Sequence, residues 1–433
     1  MSGADRYVVV GLARPRAPWF AEVSRWSTGA ALPLDFRKCL SVSELRAHLA
    51  GPEPLSALLV DAATGAVDRD LVAEANDAGA AVLVVDERDG GRWAALGAQA
   101  VLPSTFDPPT LLDVLVEHAE PIRRVDAPTP VRATDADAPR WRGRLVTVLG
   151  PGGTGTSLTA MAIAQGLAVD PRHQGRVALA DLALDADQGL LHDVGDVVPG
   201  LQELVEAHRG PAPGPDDVRA LCFGTRSYAV LLGLRRHRDW TVLRPRAVEA
   251  AIDGLRQAFT AVVADCDGDL EGEGECGSLD VEDRNVLARS AVRAADVVVV
   301  TARPSASSIH RLVRLLGDVR RLGVDPARIL PCVVAAPRSG RTRAELAAAV
   351  HELERPDGAD PVNPVLFLPE RRRLDQLVID GRPLPAGLAD TAASGVQAVV
   401  QQVVRRAAPA TAIAPVPIAP GSLGRWTDQE ATG

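Results

Sequence analysis

Short apolar runs, each closing on a charged or small residue, recur along this chain. Tyr7 to Leu12, Leu55 to Val60, Ala81 to Val85 and Gln99 to Leu102 are the first four. Helix-like stretches lie between them, such as Ser43 to Leu49 and Asp70 to Ala78, the latter stopping at Gly79. Continuous apolar strands that alternate with helices predict a parallel sheet covered on both faces. Residues 1–120 therefore read as one α/β unit. Residues 121–143 lose this period and are punctuated by Pro121, Pro128, Pro130 and Pro139, so a linker is predicted there. A second α/β series occupies 144–407. Its predicted strands are Leu145 to Leu149, Val177 to Ala180, Trp240 to Leu243, Ala261 to Ala264, Val297 to Thr301, Ile329 to Val334 and Val365 to Leu368. The tail, 408–433, is rich in Pro and Ala and is predicted to be disordered.

Composition narrows the function classes. Hydrophobic residues make up 46% of the 433, enough for globular domains rather than a disordered chain. No apolar run approaches the ~20 residues of a membrane span. No basic segment followed by a longer apolar core opens the chain, so a cytoplasmic protein is expected. The balance of 47 basic against 56 acidic residues, net −9, opposes a protein that coats nucleic acid. Five cysteines without C-x-x-C spacing fit a reducing compartment better than a disulfide scaffold or a zinc site. Lys38 is the only lysine, which excludes any mechanism that needs one elsewhere.

Candidate chemistry concentrates at Gly150-Pro151-Gly152-Gly153-Thr154-Gly155-Thr156-Ser157. A predicted strand precedes it and a helix-like stretch follows, the context a phosphate loop requires. Glycines let backbone N–H groups converge on an anion, and the helix terminus adds its dipole. The spacing G-x-x-x-x-G-K-[ST] is met at Gly150, Gly155 and Ser157, with Thr156 at the lysine position. A tight strand-to-helix turn without any ligand is the bland reading of the same residues. Ala261-Val262-Val263-Ala264-Asp265 is an apolar strand ending on an acid, which suits a carboxylate that holds Mg²⁺. A buried strand that merely ends on an exposed Asp reads the same way.

The loop resembles the deviant phosphate loop of the MinD/ParA-like ATPases, K-G-G-x-G-K-[ST]. Pro151 stands where that family has the lysine that crosses its dimer interface, and Thr156 where it has the lysine that touches the β- and γ-phosphates. Val177 to Asp181 resembles the family's second strand, ending at the first switch aspartate, and Gly189 to Val205 its switch loop and following helix. Ala335-Ala336-Pro337 stands where an Asn often reads the base. Leu366 to Pro369 with Asp380 to Leu384 matches the closing run. The resemblance implies a P-loop NTPase-like, MinD-like fold with a mostly parallel sheet. It implies ATP or ADP held by Gly150, Gly152, Gly153, Thr154, Gly155, Thr156 and Ser157. Ser157 and Asp265 are then the Mg²⁺ ligands, and Asp181 is the candidate catalytic residue. One charged hydrogen bond is worth roughly 1.5–3 kcal/mol, and losing a preorganised charge near a developing anion costs about 10²–10³ in rate. With both lysines gone, weak or absent nucleotide binding and little or no hydrolysis are expected.

The amino-terminal unit resembles a response-regulator receiver. Gly97 to Leu111 matches its closing strand and helix, with Ser104 in place of a lysine, and Asp61 stands where a phosphoacceptor would. The first strand leads into Gly11-Leu12-Ala13-Arg14 rather than an acidic pair, so a pseudo-receiver without a Mg²⁺ site is expected. A receiver-like unit fused to a MinD-like one resembles the CpaE/TadZ group. Leu182 to Asp185 and Pro199 to Leu204 resemble its actinobacterial septum site-determining, CpaE-like members. The resemblance implies a regulator of septum-site selection, working with cell-division proteins at the septum or cell pole, with a homodimer as the plausible assembly. The alternative is an ATPase that localises Flp pilus or secretion machinery, with those components as partners. A ParA-like DNA-partitioning protein ranks third. Val396 to Arg406 reads as a weakly amphipathic terminal helix, so membrane association is peripheral at most.

Overall fold

A computed structural model describes residues 6–407, apart from 15–16, 30–31, 52, 88–89, 123–140, 196–197, 355–359 and 372–373. Most of the expected linker and the whole expected tail thus lie outside the described residues. The strands β1 (Tyr7–Leu12), β2 (Leu34–Cys39), β3 (Ala57–Asp61), β4 (Ala81–Val85) and β5 (Ala100–Leu102) form one parallel sheet in the order β2-β1-β3-β4-β5. This is a doubly wound order: successive strands are added on one side up to β2 and on the other from β3, all of them parallel.

The second sheet contains β6 (Arg144–Gly150), β7 (Val177–Asp181), β8 (Phe223–Gly224), β9 (Ala229–Leu231), β10 (Ala261–Asp267), β11 (Val297–Ala302), β12 (Ile329–Ala336) and β13 (Leu366–Pro369). Its order is β13-β12-β11-β6-β10-β7-β9-β8, and only the β8–β9 pair is antiparallel. Runs such as Val297-Val298-Val299-Val300 are buried because both faces are covered. The helices Pro245–Ala258, Val286–Ala294 and Ala306–Arg321 pack on one face, and Thr156–Val169 and Ala386–Ala407 on the other. The expected α/β class, with a mostly parallel sheet and helices on both faces, is therefore present.

Two differences in detail have physical reasons. Trp240 to Leu243 is not a strand; His237–Val242 forms 3-10 turns instead. The sheet position beside β7 is taken by β9, and Val242 is left exposed. The terminal helix does not hold its apolar face free for lipid. Leu388, Ala392, Val396 and Val399 are buried against the Thr156–Val169 helix. At Gly166 the two helices come so close that a Cβ would lie 2.3 Å from the Ala389 carbonyl oxygen.

The two sheet units touch through named contacts. Asp68 caps the helix Arg69–Asp77 through the Leu71 amide at 2.9 Å and accepts from the Arg209 guanidinium at 3.0 Å. Arg69 donates to the His208 carbonyl at 2.9 Å, and the Arg246 amide donates to Asp70 at 3.0 Å.

Candidate functional site

The chain leaves β6 at Gly150 and bends into the helix Thr156–Val169. Gly153 (φ 76°) and Gly155 (φ 87°) occupy the left-handed region, where a side chain is strained. Gly150 is required for space instead, since a Cβ there would lie 2.0 Å from Thr301 Oγ1. Gly155 is the helix N-cap and offers no capping side chain. Among the described residues the amides of Gly153, Gly155, Thr156 and Ser157 have no hydrogen-bond partner. Open donors at the positive end of a 14-residue helix make a ready anion site.

A threonine network holds the loop from below. Thr154 Oγ1 donates to the Pro151 carbonyl at 2.7 Å and lies 2.8 Å from Thr301 Oγ1. Thr156 Oγ1 lies 2.9 Å from Thr301 Oγ1 and 3.2 Å from Thr154 Oγ1. Thr154 and Thr301 are buried. The hydroxyl at the lysine position is thus engaged inside the loop's own support. Thr301 escaped the sequence reading as a site residue. Its signal was a polar end to an all-valine strand.

Strand register brings the acids together. Asp265 on β10 is aligned with Val148 on β6 and with Asp181 on β7. Asp265 accepts a hydrogen bond from Gln188 Nε2 at 2.7 Å, and Ser157 lines the same cavity wall beside it. Gln188 Nε2 also lies 3.2 Å from the Ser157 carbonyl oxygen. Asp181 accepts from the amides of Gln188 at 2.9 Å and Ala183 at 3.3 Å. Burial pushes both carboxyls above the ordinary carboxylate range, and for Asp181 the neighbouring Asp265 pushes further the same way. Burial also raises Asp267, which accepts from the Leu184 amide at 2.7 Å. Gln188, the residue that bridges this group, directly precedes the stretch Gly189 to Val205 and carries no signal of its own in the sequence. Its Oε1 is buried without a partner among the described residues.

A cavity of about 700 Å³ separates the loop from these acids. Gly150, Gly152, Gly153, Gly155, Thr156, Ser157 and Asp265 all line it. Thr154 lies beneath the loop, and Asp181 sits fully buried behind Asp265, off the cavity wall. Asp185, Asp187, Asp267 and Asp269 add to the wall. Its basic side chains are Arg284, paired with Asp269 at 2.5 Å, and His237, whose ring lies 2.9 Å from Asp185. No lining cation among the described residues is left for an incoming anion. Beyond Gly155 a smaller cavity of about 200 Å³ is lined by Leu158, Arg303, Val334, Ala335 and Pro369. Ala335 (φ 54°) presents a methyl group there, where the resemblance would place a base-reading amide.

A further cleft of about 820 Å³ lies at the carboxyl ends of the first sheet. Asp61, Asp86 and Ser104 line it, with Glu206 and Arg209 from the second unit. Asp61 accepts from the Ala63 amide at 3.0 Å.

No family model and no curated protein matches this chain. Among solved structures, the cell division ATPase MinD of Pyrococcus furiosus is similar at 19% identity and a TM-score of 0.45, covering 59% of this chain and 99% of that one. A ParA family ATPase from Chlorobium tepidum TLS is similar at 15% identity and a TM-score of 0.45, covering 60% and 98%. The septum site-determining protein MinD of Pyrococcus horikoshii OT3, complexed with Mg-ADP, gives 18% identity and a TM-score of 0.43, covering 61% and 98%. Likeness at this level decides nothing about chemistry, and the site is read from its own residues.

Proposed function

We propose that the second unit is a MinD/CpaE-like nucleotide sensor that takes ATP or ADP only as the Mg²⁺ complex and hydrolyses it slowly or not at all. The observation that carries this reading is the meeting of Ser157 and Asp265 at the mouth of a glycine loop without a free cation. Mg²⁺ prefers a few hard oxygen donors, retained waters and substrate phosphates. A serine hydroxyl beside a carboxylate fits that preference. A free polyphosphate would instead enter a cavity walled by carboxylates. Coulomb repulsion there is strengthened by the low local dielectric. The bound metal would supply the positive charge that Pro151 and Thr156 no longer carry. The loop amides would hold the anion, and Gln188 would report its arrival, because its amide now contacts both Asp265 and Ser157.

The cellular role follows from the sequence resemblance: regulation of septum-site selection through division proteins, from a pseudo-receiver joined to the sensor. The order of the first sheet and the place of Asp61 and Ser104 at its carboxyl end support the pseudo-receiver reading. Localisation of pilus or secretion machinery is the rival role.

Calorimetry with and without Mg²⁺, paired with phosphate-release assays, tests the biochemical part. The expected result is Mg²⁺-dependent binding with negligible turnover. Thr156→Lys should tighten binding about tenfold or more, since a charged hydrogen bond is worth roughly 1.5–3 kcal/mol. Steady turnover that Ser157→Ala and Asp265→Ala both abolish would show an active ATPase instead. Failure to bind Mg-ATP at all would return the loop to a turn without a ligand.

A further inference from the structure

A separate cluster lies at the β2 edge of the first sheet, and none of its residues lines the cavities described above. Cys39 ends the edge strand β2, and Glu44 and His48 follow on the helix Val42–Leu49. The four-residue spacing places Glu44 and His48 on one helix face. The Cys39 sulfur, a carboxylate oxygen of Glu44 and a ring nitrogen of His48 all lie within 4.8 Å of one another.

The donors are held and available. Glu44 is fixed by two local bonds: its Oε2 accepts from the Leu40 amide at 2.7 Å, and its own amide donates to Ser41 Oγ at 3.1 Å. The Cys39 thiol and the His48 ring have no hydrogen-bond partner among the described residues. Cys39 is buried, Glu44 is exposed and His48 is intermediate, so a cation from solvent would reach the sulfur past the other two.

We propose that Cys39, Glu44 and His48 form a binding site for a borderline divalent cation of the Zn²⁺ class. Thiolate, carboxylate and imidazole are the donor types that zinc selects. Donor atoms around tetrahedral zinc are roughly 3.3–3.8 Å apart, so modest side-chain rotation closes the cluster onto an ion. Binding forms Zn–S, Zn–O and Zn–N bonds and releases the Cys39 thiol proton to solvent. No oxidation or reduction takes place. One thiolate and one carboxylate cancel the dication, so the occupied site is neutral where the empty one carries the single charge of Glu44. The fourth position stays open to water or to a donor from another molecule. Burial pushes the thiol up to about 11, with the Glu44 charge adding to it. The metal must overcome that preference for the protonated form.

The test uses the full chain, metal-stripped and kept reduced, titrated with Zn²⁺ against a chromophoric chelator. One equivalent should bind. His48→Gln and Cys39→Ser should each weaken binding at least about tenfold, as loss of even an outer-shell partner does at established sites. Cys276→Ser, which removes the exposed thiol, should leave affinity unchanged. Co²⁺ should give a thiolate-to-metal absorption band that Cys39→Ser removes. His48→Gln alters a partly exposed side chain and keeps the test valid if Cys39→Ser folds poorly. No Zn²⁺ binding by the native chain, unchanged affinity in His48→Gln, or a cobalt spectrum without the thiolate band would each overturn the site.

Discussion

At the scale of single residues, the buried aspartates set the energetics. Asp181 and Asp265 face each other across the β7–β10 register, and burial raises both carboxyls. A raised carboxyl binds its proton more tightly in the folded than in the unfolded chain. Stability from that difference is fully present at low pH and is lost as pH rises from the unfolded value near 3.8 through the raised value. The native protein should therefore be less stable at pH 8 than these residues would otherwise allow. Asp265→Asn removes one charge and keeps an oxygen to accept from Gln188. It should raise stability at pH 8 by on the order of 1 kcal/mol, or about 2–4 °C, with the gain shrinking toward pH 4. The same variant should lose Mg-nucleotide binding. Thermal melts across that pH range, read beside calorimetry, check both outcomes. An unchanged pH profile would mean that the carboxyls titrate normally.

At the scale of elements, the helix Thr156–Val169 serves two ends. Its amino end closes the glycine loop, while its body packs against the terminal helix Ala386–Ala407. Gly166 permits that packing, because a Cβ would meet backbone rather than a movable side chain. Gly166→Ala must therefore push the helices apart, despite alanine's better helix propensity of about 1 kcal/mol. Overpacking of this kind costs roughly 1–3 kcal/mol. Denaturant unfolding should show a lower midpoint with an unchanged slope. A neutral or stabilised variant would show that the helices have room to move. This packing also explains why the amphipathic pattern of Val396 to Arg406 is no sign of a lipid anchor: its apolar side is the inner face of a buried helix pair.

At the scale of the whole molecule, the two sheet units meet in part through the residues that follow the helix Leu201–Ala207. Leu201–Ala207 leads into His208 and Arg209, which bond to Arg69 and Asp68 of the first unit. Arg69→Ala combined with Arg209→Ala removes both guanidinium bonds. Each contributes about 1 kcal/mol after discount for partial exposure. Small-angle scattering should show a larger radius of gyration for the double variant. Identical scattering would assign the docking to the remaining contacts, such as the Arg246 amide to Asp70.

The chain's own pattern determined the strand-helix alternation, the buried β-branched strands and the glycine loop, because each is written within about ten neighbouring residues. Tyr7–Leu12 and Ala81–Val85 were readable to the residue. Edge strand β2 and the two-residue β8 were not, since their sequences carry little continuous apolar signal, and β9 was missed although Ala229 to Leu232 is apolar throughout. The absence of lysine from the glycine loop was likewise visible in a chain whose one lysine is Lys38. Only the fold decided that Thr301 supports the loop, that Gln188 joins Ser157 to Asp265, and that Asp181 faces inward. Those contacts join residues far apart in sequence, and strand order and register, which bring them within bonding distance, are properties of the assembled sheet.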